Sequence, residues 1–523
     1  MTNPWKAIYP VCQPRLPSAL WQRLTEETDD PSRFPARLRA ATEAGIPPFL
    51  ADLAALEWAR HAAREAAAVV VPVRSRALNP TLQLVESGWQ GLAALTGRDT
   101  ASPAPQPGGE RLLVWWAPND GIVRCRPATD EDLLVLKLVV EGIDPQAAAA
   151  EGGVPVGAVD QALRRAVARG LLLAPPSRLR RDESMFPLAG VGEEFLVAEV
   201  FTLQWHITQA CDLHCKHCYD RSSRPPVSLA QGLKILDDLR DFCLVRQVLG
   251  QVSFSGGNPL LHPDFFALYR AATERGCNTA ILGNPASRHE IERLVAIQPP
   301  VFFQVSLEGL PAHNDFIRGA GHFERVLAFL DLLKEFGIYT MVMLTLTRDN
   351  LGQVLPLAEL LRGKVDLFTF NRLAMVGEGA QLLSVRPEEY RDFLADYLAA
   401  ATQNSSLGLK DNLFNLLRHQ EGLPLFGGCT GYGCGAAFNF LSVLSDGETH
   451  ACRKFPSPIG NLHEERLATL YDAAAASRYR AGSQACRGCA IRPVCGGCLA
   501  VAYGFGLEVT AQRDPYCFLP PGG

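Results

Sequence analysis

Cys211-Asp-Leu-His-Cys215-Lys-His-Cys218 is the stretch on which the fold turns. Leu203 to Ile207, just before it, is a short apolar run of strand character. Three thiols then fall on one loop. Such a loop can hold three irons of a four-iron cluster and leave the fourth without a protein ligand, and an iron left open is a binding site. A zinc site recruiting His214 or His217 as fourth ligand is the competing reading. Zinc sites, however, usually come as paired Cys-x2-Cys or Cys/His units rather than as one run of three.

Around and beyond this loop, residues 198 to 405 alternate short apolar runs with amphipathic helical stretches, the βα pattern of an α/β domain. Strands are predicted at Leu203 to Ile207, Gln251 to Phe254, Thr279 to Leu282, Phe302 to Val305, Thr340 to Leu346 and Leu367 to Phe370. Six strands, each followed by a helix, suit a partial (β/α)6 barrel better than a closed eightfold one. In such barrels the chemistry gathers at the C-terminal ends of the strands, where the cysteine loop sits.

The Cys-x3-Cys-x2-Cys spacing, with the aromatic His217 before the last cysteine, resembles the signature of radical S-adenosylmethionine (SAM) enzymes. The resemblance implies a [4Fe-4S] cluster on Cys211, Cys215 and Cys218, whose open iron is chelated by SAM. It also implies cleavage of SAM to a 5′-deoxyadenosyl radical that takes hydrogen from a substrate. Ser255-Gly-Gly-Asn-Pro259 resembles the family's glycine pair at the SAM ammonium, with Gly256, Gly257 and Asn258 as contacts. Asn258 stands where an acidic residue is usual. Ser306-Leu-Glu-Gly309 resembles the family's serine and acidic pair at the SAM ribose and carboxylate, through Ser306 and Glu308. Arg318 and Arg372 are candidates for the SAM carboxylate, and each has a plain alternative as an ion-pair arginine. His217 completes the SAM set.

The tail supplies eight further thiols. Cys434, Gly447 and Cys452 precede Cys486-x2-Cys489-x5-Cys495-x2-Cys498 and a last Cys517. This resembles the SPASM extension of radical SAM peptide maturases, from which it departs in having two residues, Gly496 and Gly497, where three are usual. The resemblance implies two auxiliary clusters, one on Cys429, Cys434, Cys452 and Cys498 and the other on Cys486, Cys489, Cys495 and Cys517. The rival is a zinc ribbon through Cys486, Cys489, Cys495 and Cys498.

The whole chain has 523 residues, 47% hydrophobic and 20% charged, with a net charge of -5, a balance that does not suggest a nucleic-acid binder. Its 15 cysteines are odd in number, and Met1 to Lys6 lacks the basic and apolar runs of a secretory leader. That combination argues for metal or redox chemistry in the cytoplasm, with no membrane span. Cys243 and Cys277 read as core thiols.

Residues 1 to 100 are expected to form a helical domain, with Leu50, Ala54 and Trp58 on one helix face. Ala101 to Gly109 reads as a Pro-rich linker. Between 108 and 185, two strands (Arg111 to Trp116, Gly121 to Arg126) precede helices near 130–140, 145–150 and 156–169, with Gly170 as cap. That arrangement is winged-helix-like and resembles the peptide-recognition element of ribosomal-peptide maturases, in which a leader adds a strand to the sheet edge. Arg164, Arg165 and Arg169 keep a DNA-binding winged helix in view. The SPASM domain is placed at 425–520.

Together these resemblances, nearest to selenobiotic-type maturases, imply three [4Fe-4S] clusters, SAM, a precursor peptide with a leader and an electron donor such as flavodoxin or ferredoxin. The expected reaction is oxidative cross-linking to a thioether. A sulfatase-maturase-like oxidation or an epimerisation is the neighbouring alternative, and a redox-sensing DNA-binding regulator the alternative of another class. Arg453 stands where sulfatase maturases place an Asp. His214, Glu378, Tyr432 and His450 are conceivable bases, and none is singled out as catalytic.

Overall fold

The computed structural model describes residues 4–26, 29–41, 45–96, 104–188 and 190–520. The chain forms two compact units, Met1–Pro176 and Ser177–Gly523. Among the described residues no helix is long and apolar enough to cross a membrane.

The larger unit is built on a nine-stranded sheet. Its first six strands in chain order are Val200–Thr208, Leu249–Gly256, Asn278–Leu282, Phe303–Ser306, Thr340–Leu346 and Leu367–Arg372, each parallel to the next. This is the expected open six-stranded barrel. Parallel strands covered by helices are buried on both faces, so they read as apolar runs. Trp205, Phe254, Phe265 and Tyr269 are fully buried and meet, tilted or edge to face, in one aromatic group between strands and helices. Helix starts are specified locally: Ser228 with Gln231 and Ser287 with Glu290 form capping boxes for Leu229–Arg246 and Arg288–Ile297. Cys243 and Cys277 are buried beneath the second strand, their sulfurs each 3.2 Å from where a β-carbon on Gly250 would lie.

The sheet does not stop at the barrel. Phe440–Val443 pairs in parallel with the first strand, Phe440 opposite Thr202 and Val443 opposite Trp205, and Glu448–His450 and Pro458–Asn461 extend it antiparallel. The cysteine-rich tail is thus continuous with the barrel sheet, although the sequence separates them by a stretch of helices.

The smaller unit holds a three-stranded antiparallel sheet in the order Gln83–Gln90, Gln106–Ala117, Ile122–Pro127. Alternate residues of the central strand serve two cores, as the two-residue period of a strand requires. Leu112 and Val114 pack with Leu50, Leu53 and Ala54 of the helix Leu50–Glu65, while Trp58 is half-buried. Leu113 and Trp115 pack with Val135, Leu138 and Leu163 of the helices Asp130–Glu141 and Val156–Ala168. The shorter helix Pro145–Gly152 lies between them in sequence. The helical segment and the winged-helix-like segment therefore share one sheet. The expected linker differs too: Gln106 to Gly109 begin the central strand, and 101–103 lie outside the described residues. On the last helix Arg165 and Arg169 pair with Glu131, at 2.6 and 3.7 Å.

Candidate active site

The loop that leaves the first barrel strand carries Cys211, Cys215 and Cys218 to the wall of a cavity of about 470 Å³. Burial pushes the Cys215 and Cys218 thiols up, and the nearby Cys211 adds to the rise in both. The Cys215 sulfur also accepts from Arg318 Nη1 at 3.7 Å.

Gly256 and Gly257 line the same cavity. The end of the second strand is laced to the cysteine loop, backbone to backbone: Gly257 N–H donates to Thr208 O (2.9 Å) and Asn258 N–H to Ala210 O (2.7 Å). A β-carbon on Gly256, whose φ is +129°, would lie 2.1 Å from Thr208 O, and one on Gly257 would lie 2.2 Å from Ala210 O. Only glycine permits this approach.

The buried Asn258 side chain turns to the cysteine loop and donates to Asp212 Oδ1 at 3.1 Å. Asn284 donates to the same oxygen at 2.6 Å and to Cys211 Sγ at 3.6 Å. Asp212, overlooked in the sequence although it lies inside the cysteine run, is thus the acceptor that ties Asn258 and Asn284 to the cysteine loop.

Ser306 and Arg318 line the cavity wall, as does His217, whose pKa burial lowers to about 4. Glu308 lies behind that wall, 1% exposed. It accepts from Arg318 Nη2 and Nε (2.6 and 2.9 Å) and from the Thr345 amide (2.8 Å). Burial works against its ionisation, but His217, Arg318 and the amide prevail and hold its pKa below the ordinary value. Its position is that of a residue that aims Arg318. Arg372 lines the cavity too, yet its donors are taken by Asp411 and Asp514.

Of the conceivable bases, His214 contacts Arg221, His450 contacts Glu448 at 2.9 Å, Tyr432 OH accepts from the Glu199 amide, and Glu378 is 3.8 Å from Arg221. Sequence reasoning missed His206, which lines the cavity fully buried. One ring nitrogen contacts Tyr219 OH at 3.2 Å and Nδ1 is without a partner.

A second cavity, of about 380 Å³, is lined by Cys429, Cys434, Cys452 and Cys498. Burial raises Cys434 to about 12, and Cys498, Cys452 and Cys429 all act on it electrostatically. A smaller void is lined by Cys486, Cys489, Cys495 and Cys517. The two thiol sets part at Gly496 and Gly497, consecutive residues with φ of +67° and +65°. This left-handed pair turns Cys495 toward one void and Cys498 toward the other, which two ordinary residues would do only with strain. Among the described residues no group of His, Cys, Asp and Glu side chains is drawn together tightly enough to hold a single ion. Each thiol set borders a void instead.

The two larger cavities share lining residues: Leu282, Gln304, Met343, Asn371, Arg372, Arg453 and Lys454. Arg453 Nη1 donates to Ser255 Oγ at 3.0 Å, and its guanidinium lies 5.8 Å from the Tyr219 ring. Lys410 Nζ donates to Asn371 (2.6 Å) and to Cys429 Sγ (3.6 Å). The sequence reading named neither Lys410 nor Lys454.

Two stretches match known protein families: the Radical SAM superfamily over residues 205–361, and SPASM, an iron–sulfur cluster-binding domain, over 434–490. An AdoMet-dependent heme synthase of Methanosarcina barkeri is 27% identical over 344 residues, covering 61% of this chain and 97% of its own. The mycofactocin maturase MftC of Mycolicibacterium smegmatis is 29% identical over 342 residues, covering 60% and 82%. Among solved structures, Streptococcus suis SuiB bound to precursor peptide SuiA superposes with a TM-score of 0.52 at 17% identity, over 78% of this chain and 97% of that one.

Proposed function

We propose that this chain, an enzyme carrying a radical SAM domain and a SPASM iron–sulfur domain, modifies a ribosomally made precursor peptide by oxidative cross-linking, with a thioether as the product. The observation that carries this reading is the common wall of the two larger cavities. A substrate residue seated at Asn371 and Gln304 is next to both the Cys211 loop and the Cys429 set.

The donor sets fit the groups they would hold. Cys211, Cys215 and Cys218 leave one corner of a four-iron cluster open, and the glycine cradle lets a ligand backbone approach where a β-carbon would block it. Cys429, Cys434, Cys452 and Cys498 would hold one auxiliary cluster, and Cys486, Cys489, Cys495 and Cys517 another, three clusters in all. SAM and its cluster, when bound, supply hydrogen-atom abstraction; an auxiliary cluster supplies a place for the surplus electron.

The chain's own residues position and enclose. Arg318, aimed by Glu308, offers a cation to the SAM carboxylate, and Ser306 lies on the same wall. Gly256 and Gly257 offer their backbone, with Asp212 held close by Asn258. Arg372 ties the sixth strand to the tail. In the smaller unit, the outer strands Gln83–Gln90 and Ile122–Pro127 each leave one edge unpaired among the described strands, and either edge could take a leader as an added strand. Flavodoxin or ferredoxin would deliver the electron.

The heme synthase relative favours a second reading, a tetrapyrrole substrate. Anaerobic incubation with SAM and dithionite tests the enzyme: the wild type should release 5′-deoxyadenosine, and Cys211→Ala should not while keeping its tail iron. Tight binding to duplex DNA without SAM cleavage would instead support a regulator.

A further inference from the structure

The wall shared by the two larger cavities is cationic. Arg453 and Lys454 line both cavities, and Lys410 lines the one that holds Cys429. Among the described residues the one carboxylate lining the Cys429 cavity, Asp411, is already taken by Arg372 at 2.7 Å. Lys410 reaches an amide and a thiol, and Arg453 reaches a serine hydroxyl and a tyrosine face; neither touches an acid. Half-buried cations that meet no carboxylate draw an anionic partner to themselves. Lys410 reaches both ways, to Cys429 on one side and to Asn371 of the shared wall on the other. Arg453 is turned toward Ser255 at the end of the second barrel strand.

We propose that Arg453, Lys454 and Lys410 form a carboxylate subsite between the SAM cavity and the Cys429 cavity, filled by an acidic group of the substrate next to the residue that reacts. The proposal rests on the reading of the barrel as a SAM site. It deepens that reading by naming the substrate class: a peptide segment carrying either a side-chain carboxylate or its own C-terminal carboxylate. Arg453 serves as a positioning residue. Its planar fork suits a carboxylate held bidentately, a geometry that lysine does not reproduce.

The probes are four fragments of nearly the same shape. N-acetylglutamine carries only a terminal carboxylate, N-acetylglutamate amide only a side-chain carboxylate, N-acetylglutamate both and N-acetylglutamine amide neither. Each is titrated into the reconstituted full-length protein with SAM present. The readout is protection of Lys410 and Lys454 from acetic anhydride, measured by peptide mass spectrometry. At least one singly charged fragment should protect at about tenfold lower concentration than the neutral one, the ratio expected when charge-assisted hydrogen bonds replace neutral ones. Which of the two does so identifies the source of the carboxylate. Arg453→Gln should remove that advantage, with iron content unchanged as the check on folding. Equal protection by all four fragments, or none by any, overturns the subsite. SAM cleavage is followed in the same samples. If 5′-deoxyadenosine forms while charge makes no difference, the subsite alone fails; if none forms, the reading of the barrel fails and takes the subsite with it.

Discussion

Arg372 and Asp514 face each other in a buried bidentate pair, Nη1 to Oδ1 at 2.7 Å and Nη2 to Oδ2 at 2.8 Å. Arg372 ends the last barrel strand; Asp514 precedes Cys517 and also accepts from the Cys498 amide at 2.8 Å. One ion pair therefore links the barrel rim to the loops of both tail thiol sets. The sequence suggested a SAM-carboxylate role for Arg372, and its alternative as an ion-pair arginine is the one the geometry matches.

Replacing Arg372 by methionine leaves Asp411 and Asp514 buried without their counter-ion, although the Leu413, Tyr516 and Cys498 amides still donate to them. Breaking such a pair from one side costs about 3–5 kcal/mol. We expect a lower thermal midpoint and loss of iron from the tail, with SAM still bound at the Cys211 loop. Calorimetry and iron analysis of the variant check this.

Gly257→Ala should abolish SAM binding. Its β-carbon would meet the Ala210 carbonyl at 2.2 Å, backbone against backbone, so no side chain can give way. Gly256→Ala should be no better tolerated, since a left-handed φ adds about 1–3 kcal/mol of strain to the clash. Equilibrium dialysis of SAM against the reconstituted variants is the measurement, and wild-type affinity in either would show that the two loops are not laced as described.

Asp132 carries a pH dependence in the smaller unit. Burial alone would raise its pKa, but Arg126 at 2.6 and 2.7 Å and the Thr129 amide and hydroxyl bring it from 3.8 down to about 2. A carboxyl whose pKa is depressed on folding stabilises the fold above its unfolded pKa and loses that contribution as pH falls through the folded one. Asp132→Asn should therefore cost about 2 kcal/mol at pH 7. The gap from wild type should close between pH 4 and pH 2, followed by hydrogen exchange in Asp130–Glu141.

Iron content separates the thiol sets. Three four-iron clusters require about 12 irons per chain. Cys486→Ala and Cys434→Ala should each remove about four, from different clusters, and the double variant about eight. If the double variant lost no more than either single one, the eight tail thiols would serve one site.

Much of this was legible in the chain. The six barrel strands could be read because they carry buried apolar residues at alternate positions, among them Leu203, Val252, Phe303, Val342 and Phe368, between helical stretches. Gln83–Gln90 could not, since as an outer strand it mixes Gln83, Glu86 and Ser87 with an exposed Leu84. Gln106 and Pro107 look like linker but pair with Gln90 and Trp89 at the start of a strand, where proline is tolerated. A motif fixes which residues are near one another, not where their side chains point. Glu308 was placed near SAM by its motif, yet its direction depends on Arg318 and on the Thr345 amide 37 residues away. Likewise Lys410 and Lys454 lie in no motif, and only the fold brings them to one wall.

The most direct test is the mass of the peptide product. Each peptide encoded by a short reading frame found beside the gene is incubated anaerobically with the reconstituted enzyme, SAM and a reductant. Oxidative cross-linking requires the loss of two hydrogens from the peptide, with release of 5′-deoxyadenosine. Formation of 5′-deoxyadenosine while the peptide keeps both hydrogens would contradict it.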